Sequence, residues 1–377
     1  MTTHDPAEVF TNPEARTWRT PALTVDPWAF HRTLERYAPT PLRDLSEVAR
    51  ELGLGAVLVK DESDRLGLPA FKVLGASWAV HRAAAGDGPT GLVTATDGNH
   101  GRALARTGRL LGLAVRVFVP QGVHPAAIDA IESEGAGVVR TGTDYDRAVE
   151  LAAADADATG ALLVQDTAWA GYEQIPGWIV EGYTTLFQEV DEQLSGPPSL
   201  VVVPVGVGSL AQAALQHYRS IPSGSSTAVM SVEPTTAACV LTSLRAGDLT
   251  PVRTGRTIMA GLNCGTPSTA AWPFLRDGLD AATAVTDEAA RVAADQLRDA
   301  GIDSGPCGAA ALAGLRAALT GHDAADMRRR LSLTPESTVV LLSTEGAAAN
   351  PALDVDDTSR PTARAADGRH APTGPTR

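Results

Sequence analysis

Of the 31 lysines and arginines in the 377-residue chain, only two are lysine, Lys60 and Lys72. Arginine replaces lysine as a solvated cation, but it stays protonated and cannot act as an amine nucleophile or form a Schiff base. The two lysines are therefore the first residues to question about amine chemistry. Lys72 stands in Pro69-Ala70-Phe71-Lys72-Val73-Leu74-Gly75-Ala76-Ser77, at the opening of a helical pattern whose apolar members Val73, Ala76 and Val80 face inward. Partial desolvation there lowers the pKa of an ammonium and frees the amine for attack on an aldehyde. A lysine that merely snorkels from an apolar helix is the plain alternative. Lys60 ends a strand pattern and is followed by Asp61 and Glu62, which favours an ion pair or a structural role.

Two further clusters could do chemistry. In Ala95-Thr96-Asp97-Gly98-Asn99-His100-Gly101 a strand runs into a polar turn and a helix, which aims side chains and amides at the carboxyl end of a sheet, the usual ligand crevice of α/β folds. Asn99 there is either a functional amide or a simple helix cap, and Asp97 a turn residue or a functional carboxylate. In Val203-Pro204-Val205-Gly206-Val207-Gly208-Ser209-Leu210-Ala211 a strand runs into a glycine loop and a second helix. Bare amides at a helix N-terminus cradle phosphate. The same residues fit G-x-G-x-x-A, with Glu233 ending the next strand as a ribose ligand, so an NAD(P)-dependent oxidoreductase competes. Against it, a dinucleotide loop should open the first βα unit, and Gly206 follows five predicted strands.

The elements that must position these turns alternate between short apolar runs and longer Ala, Leu and Arg segments at helical spacing, which predicts an α/β fold of parallel sheets wrapped by helices. Strands are predicted at 56–60, 92–95, 114–120, 137–141, 161–165, 200–205, 228–233, 281–285 and 338–342. Helices include 45–52, 73–84, 101–111, 126–134, 176–194, 209–218 and 287–300. Turn clusters at Gly86 to Pro89 and Gly171 to Gly177 divide the chain. A larger domain takes residues 1–84 and 176–350, a smaller α/β domain is inserted at 85–175, and residues 351–377, almost free of apolar side chains, form a disordered tail.

With 44 acidic residues and a formal charge of -13, the chain repels nucleic acid and anionic membrane, which favours a small-molecule partner. The first ten residues lack a signal-peptide core and no run approaches a membrane span, so a cytoplasmic protein is expected. Cys239, Cys264 and Cys307 have no zinc spacing and form no disulfide framework. They are expected as structural thiols, with a Cys239 to Cys264 bridge left open.

Taken together, the Phe-Lys-x-x-Gly-Ala motif, the Gly-Asn-His-Gly turn and the glycine loop resemble the fold-type II pyridoxal-phosphate enzymes, which include the threonine and serine dehydratases. Within that class several stretches resemble the diaminopropionate ammonia-lyase family, between about residues 15 and 348. They are Tyr37-Ala38-Pro39-Thr40-Pro41-Leu42, Lys60-Asp61-Glu62-Ser63, Asp97 to Gly101, Val164-Gln165-Asp166-Thr167-Ala168-Trp169, Gly261 to Ser268 and Ser304 to Ala310.

The resemblance implies two open, mostly parallel sheets and pyridoxal 5'-phosphate as cofactor. It implies that Lys72 holds the cofactor as a Schiff base, that Asn99 bonds its phenolic oxygen and that Gly206, Val207, Gly208 and Ser209 receive its phosphate. Ser343, or its neighbour Thr344, would stand beside the pyridine nitrogen. Where the dehydratases usually carry Ser this chain has Asp97, and a carboxylate at Asp97 or Asp166 would orient a cationic β-amino group. The implied reaction is α,β-elimination of 2,3-diaminopropionate to pyruvate and two ammonia, with Lys72 or Asp97 removing the α-proton and Asp166 assisting. A threonine or serine dehydratase or a β-replacement enzyme of the same fold is the alternative. After Trp169 the family commonly has an acidic residue where this chain has Ala170. A homodimer is also implied.

Overall fold

The computed structural model describes residues 9–85, 88–96, 98–220, 226–321 and 323–349. Eleven strands are found among them: β1 (Val9–Thr11), β2 (Leu42–Asp44), β3 (Ala56–Asp61), β4 (Gly91–Ala95), β5 (Ala114–Val119), β6 (Gly137–Arg140), β7 (Leu162–Leu163), β8 (Leu200–Pro204), β9 (Ala228–Pro234), β10 (Ala281–Val285) and β11 (Thr338–Ser343). They form a seven-stranded sheet in the order β1-β10-β9-β8-β11-β3-β2 and a four-stranded sheet in the order β6-β5-β4-β7. All pairings are parallel except those of the edge strands β1 and β2. Strands β8, β9 and β10 are buried at every residue, as expected of parallel strands covered by helices on both faces.

This order decides where the chemistry sits. β8, β11 and β3 are neighbours, so the turns at their carboxyl ends lie side by side: the glycine loop after β8, Ser343 at the end of β11, and the segment leading to Lys72 after β3. In the smaller sheet β4 and β7 are neighbours. They deliver the 96–100 turn and Asp166.

Several details differ from the sequence expectation, among them helices at Tyr145–Thr159, Cys239–Ala246, Trp272–Gly278 and Ala324–Leu331 that lie outside the predicted ranges. The strands β1 and β2 are too short to show a period of two, and are recognised only by their partners, Val9 with Thr283 and Leu42 with Lys60. The strand predicted at 161–165 narrows to Leu162–Leu163 because Gln165 bonds to β4 through its side chain. Its Oε1 accepts from the Ala95 amide at 3.1 Å and from the Thr94 hydroxyl at 2.9 Å. A helix at Pro306–Thr320 was not foreseen. It is Ala-rich and buried around most of its circumference against the large sheet, so it has no polar stripe to show a helical period.

Lys72 immediately precedes helix Val73–Ala83, which packs against helix Gln174–Gln193. The contact is close because two glycines face each other. A Cβ on Gly182 would lie 2.5 Å from the Leu74 carbonyl oxygen and 2.9 Å from the Gly75 Cα, and one on Gly75 would lie 2.5 Å from the Tyr183 ring. The glycine three residues after the lysine in Phe-Lys-x-x-Gly-Ala is thus a packing requirement that sets the height of Lys72.

Lys60 lies elsewhere and is fully buried. Its ammonium donates to Glu189 Oε2 at 2.7 Å, to the Thr40 carbonyl at 2.8 Å and to Gln193 Oε1 at 2.9 Å. Arg65, also fully buried, grips both Glu189 and Glu62. The ion pair expected from the sequence is present, but its acid is Glu189, 129 residues away, rather than the adjacent Asp61. With all three protons of Lys60 donated, the lysine ties β3 to the helix behind it.

Candidate active site

The Lys72 side chain is a quarter exposed and donates to Asp166 Oδ2. Burial pushes the Asp166 carboxyl up, but the Lys72 ammonium, together with His100 and the hydrogen bonds it accepts, outweighs burial and holds it well below the usual carboxylate range. On the far side of Asp166, His100 Nδ1 lies 3.9 Å from the same oxygen. His100 Nε2 donates to the Val164 carbonyl at 2.7 Å. Burial lowers the His100 pKa despite the pull of Asp166.

The Asp166 backbone carbonyl accepts from the Ser209 hydroxyl at 3.0 Å. This bond joins the segment after β7 to the glycine loop of the large sheet. Gly208 has φ of 105°, a conformation that favours glycine, and it directly precedes helix Ser209–Arg219. The first amides of that helix have no acceptor within it. A further loop holds the arrangement: the Ser268 amide donates to the Val207 carbonyl at 2.8 Å, and the Ser268 hydroxyl accepts from the Ala168 amide at 3.2 Å.

Asn99 occupies the first helical position rather than the cap, which is Gly98, and makes no capping bond. Its Nδ2 donates to Glu345 Oε2 at 2.7 Å. Glu345 follows β11 two residues after Ser343, is buried, and pairs with Ala70 in an isolated bridge. The Phe71 amide donates to the Thr344 carbonyl at 3.3 Å, so the end of β11 is held against the residues that lead into Lys72. Ser343 is buried and donates to the Ser304 hydroxyl at 2.8 Å.

The structure therefore brings Lys72, Asp166, Asn99, Ser209 and Ser343 to one set of strand ends, with the glycine loop Gly206, Val207 and Gly208 beside them. Asp97 lies outside the described residues. Glu345 is not among the sequence-predicted site residues, although it directly follows Ser343 and Thr344, which are. The signal was an acidic residue directly after an apolar strand. Glu233, considered as a ribose ligand, is fully buried and accepts from the Val240 and Leu241 amides at 2.8 and 2.7 Å. It caps helix Cys239–Ala246 and is closed to a nucleotide. Cys239, Cys264 and Cys307 are thiols.

The donor set suits a phosphorylated aldehyde. The partly exposed Lys72 amine can hold a carbonyl carbon, a helix N-terminus behind a glycine of positive φ can hold the phosphate, and Asn99 and Ser343 add an amide and a hydroxyl able to serve the polar atoms of a heteroaromatic ring. This fit agrees with comparison against known proteins. The chain belongs to the pyridoxal-phosphate dependent enzyme family, which it matches over residues 33–345. Its fold is that of the fold-type II members.

Within the family, the chain is similar to the diaminopropionate ammonia-lyases. It is 36% identical over 353 residues to that of Salmonella typhimurium, covering 84% of this chain and 87% of the relative. The Escherichia coli enzyme is 35% identical over 345 residues, with 84% and 86% covered. The L-threonine dehydratase of Mycobacterium leprae is 31% identical over 310 residues, with 80% and 70% covered. The crystal structure of the Escherichia coli diaminopropionate ammonia-lyase with an aminoacrylate-PLP azomethine intermediate superposes with a TM-score of 0.82 at 31% identity, covering 91% of this chain and 94% of that one. Among the described residues no helix is long and apolar enough to cross a membrane.

Proposed function

We propose that the protein is a pyridoxal-phosphate dependent ammonia-lyase that converts 2,3-diaminopropionate to pyruvate and two ammonia. The observation that carries this reading is the pairing of Lys72 with Asp166. It sets an amine able to hold an aldehyde cofactor against a carboxylate able to hold the β-ammonium of the substrate.

Lys72 would hold the cofactor, Asn99 would serve its phenolic oxygen, the amides from Gly206 to Ser209 would receive its phosphate, and the Ser343 hydroxyl would serve its ring nitrogen. When bound, pyridoxal phosphate supplies an electron sink for the pair left by α-proton removal. Lys72 or Asp97 takes that proton, Asp97 entering on family likeness alone. Once the substrate's amine has displaced Lys72, which leaves as a neutral amine able to take the α-proton, Asp166 would be open to the substrate's β-ammonium in the place the Lys72 ammonium held. A hydroxy amino acid has no charge to offer there. Held by Asp166, the β-nitrogen stays protonated until its bond to carbon breaks, so it departs as neutral ammonia. The released enamine hydrolyses to pyruvate and the second ammonia.

The same reading brings with it a homodimer in the cytoplasm, on family likeness, and a smaller domain at 85–175 inserted into the larger one. The four strands of the small sheet, which pair with one another, support that division. The test of the activity is pyruvate release from D- and L-2,3-diaminopropionate, serine and threonine. The proposal expects kcat/KM on one diaminopropionate enantiomer to exceed that on serine and threonine by at least about tenfold, a difference of about 1.4 kcal/mol in transition-state binding. Preference for threonine or serine would assign the chain to the dehydratases instead.

A further inference from the structure

We infer that Glu345 is a positioning residue for Asn99, and that it fixes which end of the Asn99 amide is turned to the cofactor. An asparagine amide has a donor end and an acceptor end of nearly equal size, and a half turn about its last torsion exchanges them. The phenolic oxygen of pyridoxal phosphate carries negative charge and needs a donor. Nothing intrinsic to Asn99 ensures that it receives one.

Glu345 supplies the missing constraint. Its Oε2 accepts from Asn99 Nδ2 at 2.7 Å. A carboxylate only accepts, so it pairs favourably with the NH2 end and repels the carbonyl end. With one N–H committed to Glu345, the second N–H of the same nitrogen is left to donate, and the flipped amide is disfavoured.

Glu345 is itself held firmly enough to act as a reference. It is 3% exposed. Its backbone carbonyl accepts from the Gly305 amide at 2.9 Å, and it bridges to Ala70. A Cβ on Gly305 would lie 3.0 Å from Oε1 and 3.1 Å from Cγ, so the carboxylate is packed closely against the start of helix Pro306–Thr320. The arrangement ties the amide after β4 to the end of β11, and so links the two sheets at the cofactor. This inference rests on the proposal that Asn99 meets the phenolic oxygen.

The experiment is a pH titration of the near-visible absorption band of the bound cofactor, in the absence of substrate, for wild type, Asn99→Ala, Glu345→Met, Glu345→Gln and the Asn99→Ala/Glu345→Met double variant. Loss of the donor to the phenolic oxygen disfavours its anionic form and raises the titration midpoint. Glu345→Met keeps the side-chain length and removes the acceptors. It is expected to raise the midpoint by about half a pH unit or more, in the same direction as Asn99→Ala. The double variant is expected to match Asn99→Ala alone, because both changes act through one amide. Glu345→Gln can turn either end of its own amide to Asn99, so it is expected to give a midpoint between those of wild type and Glu345→Met.

A wild-type midpoint in Glu345→Met, or additive shifts in the double variant, would overturn the inference. Should Glu345→Met fail to fold, the wild-type holoenzyme labelled with 15N-asparagine decides. The Asn99 amide pair, identified by its loss in Asn99→Ala, is expected to show both protons protected from exchange and one shifted far downfield by the Glu345 carboxylate. Shifts and exchange rates of a solvent-exposed amide would contradict the assignment. Failure of the cofactor reading itself looks different, since the wild-type protein would then show no such band with added cofactor.

Discussion

Asp166 bonds the Lys72 ammonium with its side chain while its backbone carbonyl holds Ser209, the residue that opens the helix behind the glycine loop. One residue of the small-sheet region thus touches both ends of the proposed cofactor site in the large-sheet region. Its charge state follows from that position. Burial pushes the carboxyl up, and the Lys72 ammonium together with His100 outweighs it and holds the carboxyl below the usual carboxylate range.

Replacing Asp166 by Asn should separate substrate recognition from cofactor retention. Asp166→Asn is expected to keep the cofactor band and to lose about a hundredfold or more of kcat/KM on diaminopropionate, with a smaller loss on serine. Equal losses on the two substrates would remove the charge-matching role. Stability carries a second signature. A carboxyl whose folded pKa is depressed stabilises the fold above its ordinary pKa near 4 and loses that contribution as pH falls through the depressed value. Urea melts of the cofactor-free protein, in which Lys72 is an ammonium, should therefore show the difference between wild type and Asp166→Asn narrowing below about pH 4.

The second lysine should behave in the opposite way. Lys60→Met leaves Arg65 as the cation facing both Glu62 and Glu189, which keeps its bonds from the Tyr37 hydroxyl and the Thr40 amide, and it removes the Lys60 donor to Gln193 Oε1. A loss of about 3–5 kcal/mol is expected in urea melts. The folded fraction should still bind pyridoxal phosphate with its near-visible band. Loss of that band in folded protein would contradict the structural role given to Lys60.

Gly182 should prove intolerant of even one carbon. In Gly182→Ala the new Cβ meets the Leu74 carbonyl and the Gly75 backbone, and neither can swing aside. Separating the two helices should cost about 1–3 kcal/mol and move Lys72, so weaker cofactor binding should accompany the lower urea midpoint. Unchanged stability and affinity would show that the helix contact does not position the lysine.

Glu233 is pushed up to about 8 by burial, against the two amides it accepts from. A group whose folded pKa is raised above its unfolded value stabilises the fold fully below the unfolded pKa, and that contribution fades as pH rises toward the folded one. Wild-type stability should fall relative to Glu233→Gln between about pH 5 and 8, with a slope approaching about 1.4 kcal/mol per pH unit at most. Parallel stability curves for the two proteins across that range would argue against a carboxyl that is neutral in the fold.

Much of this site was legible because its chemistry is concentrated in short stretches. Lys72, Asn99 and the glycine loop each stand at a junction of strand and helix that composition and punctuation reveal, and the scarcity of lysine singled out the amine. What stayed hidden depends on contacts distant in sequence. Glu345 meets Asn99 across 246 residues, and Lys60 meets Glu189 across 129, and neither spacing leaves a periodic trace. The Pro306–Thr320 helix was missed for the reverse reason, since burial on nearly every side erased the polar stripe that would have marked it. Gln165 shortened its strand by letting a side chain take a position in the ladder, which no backbone pattern records.

The two lysines permit a direct test of where the cofactor is held. The holoenzyme is reduced with borohydride, digested, and the peptides carrying a phosphopyridoxyl group are identified by mass spectrometry. The modification should fall on the peptide containing Lys72, with Lys60 unmodified. Modification at Lys60, or no modification at all in protein that has been given pyridoxal phosphate, would contradict the account.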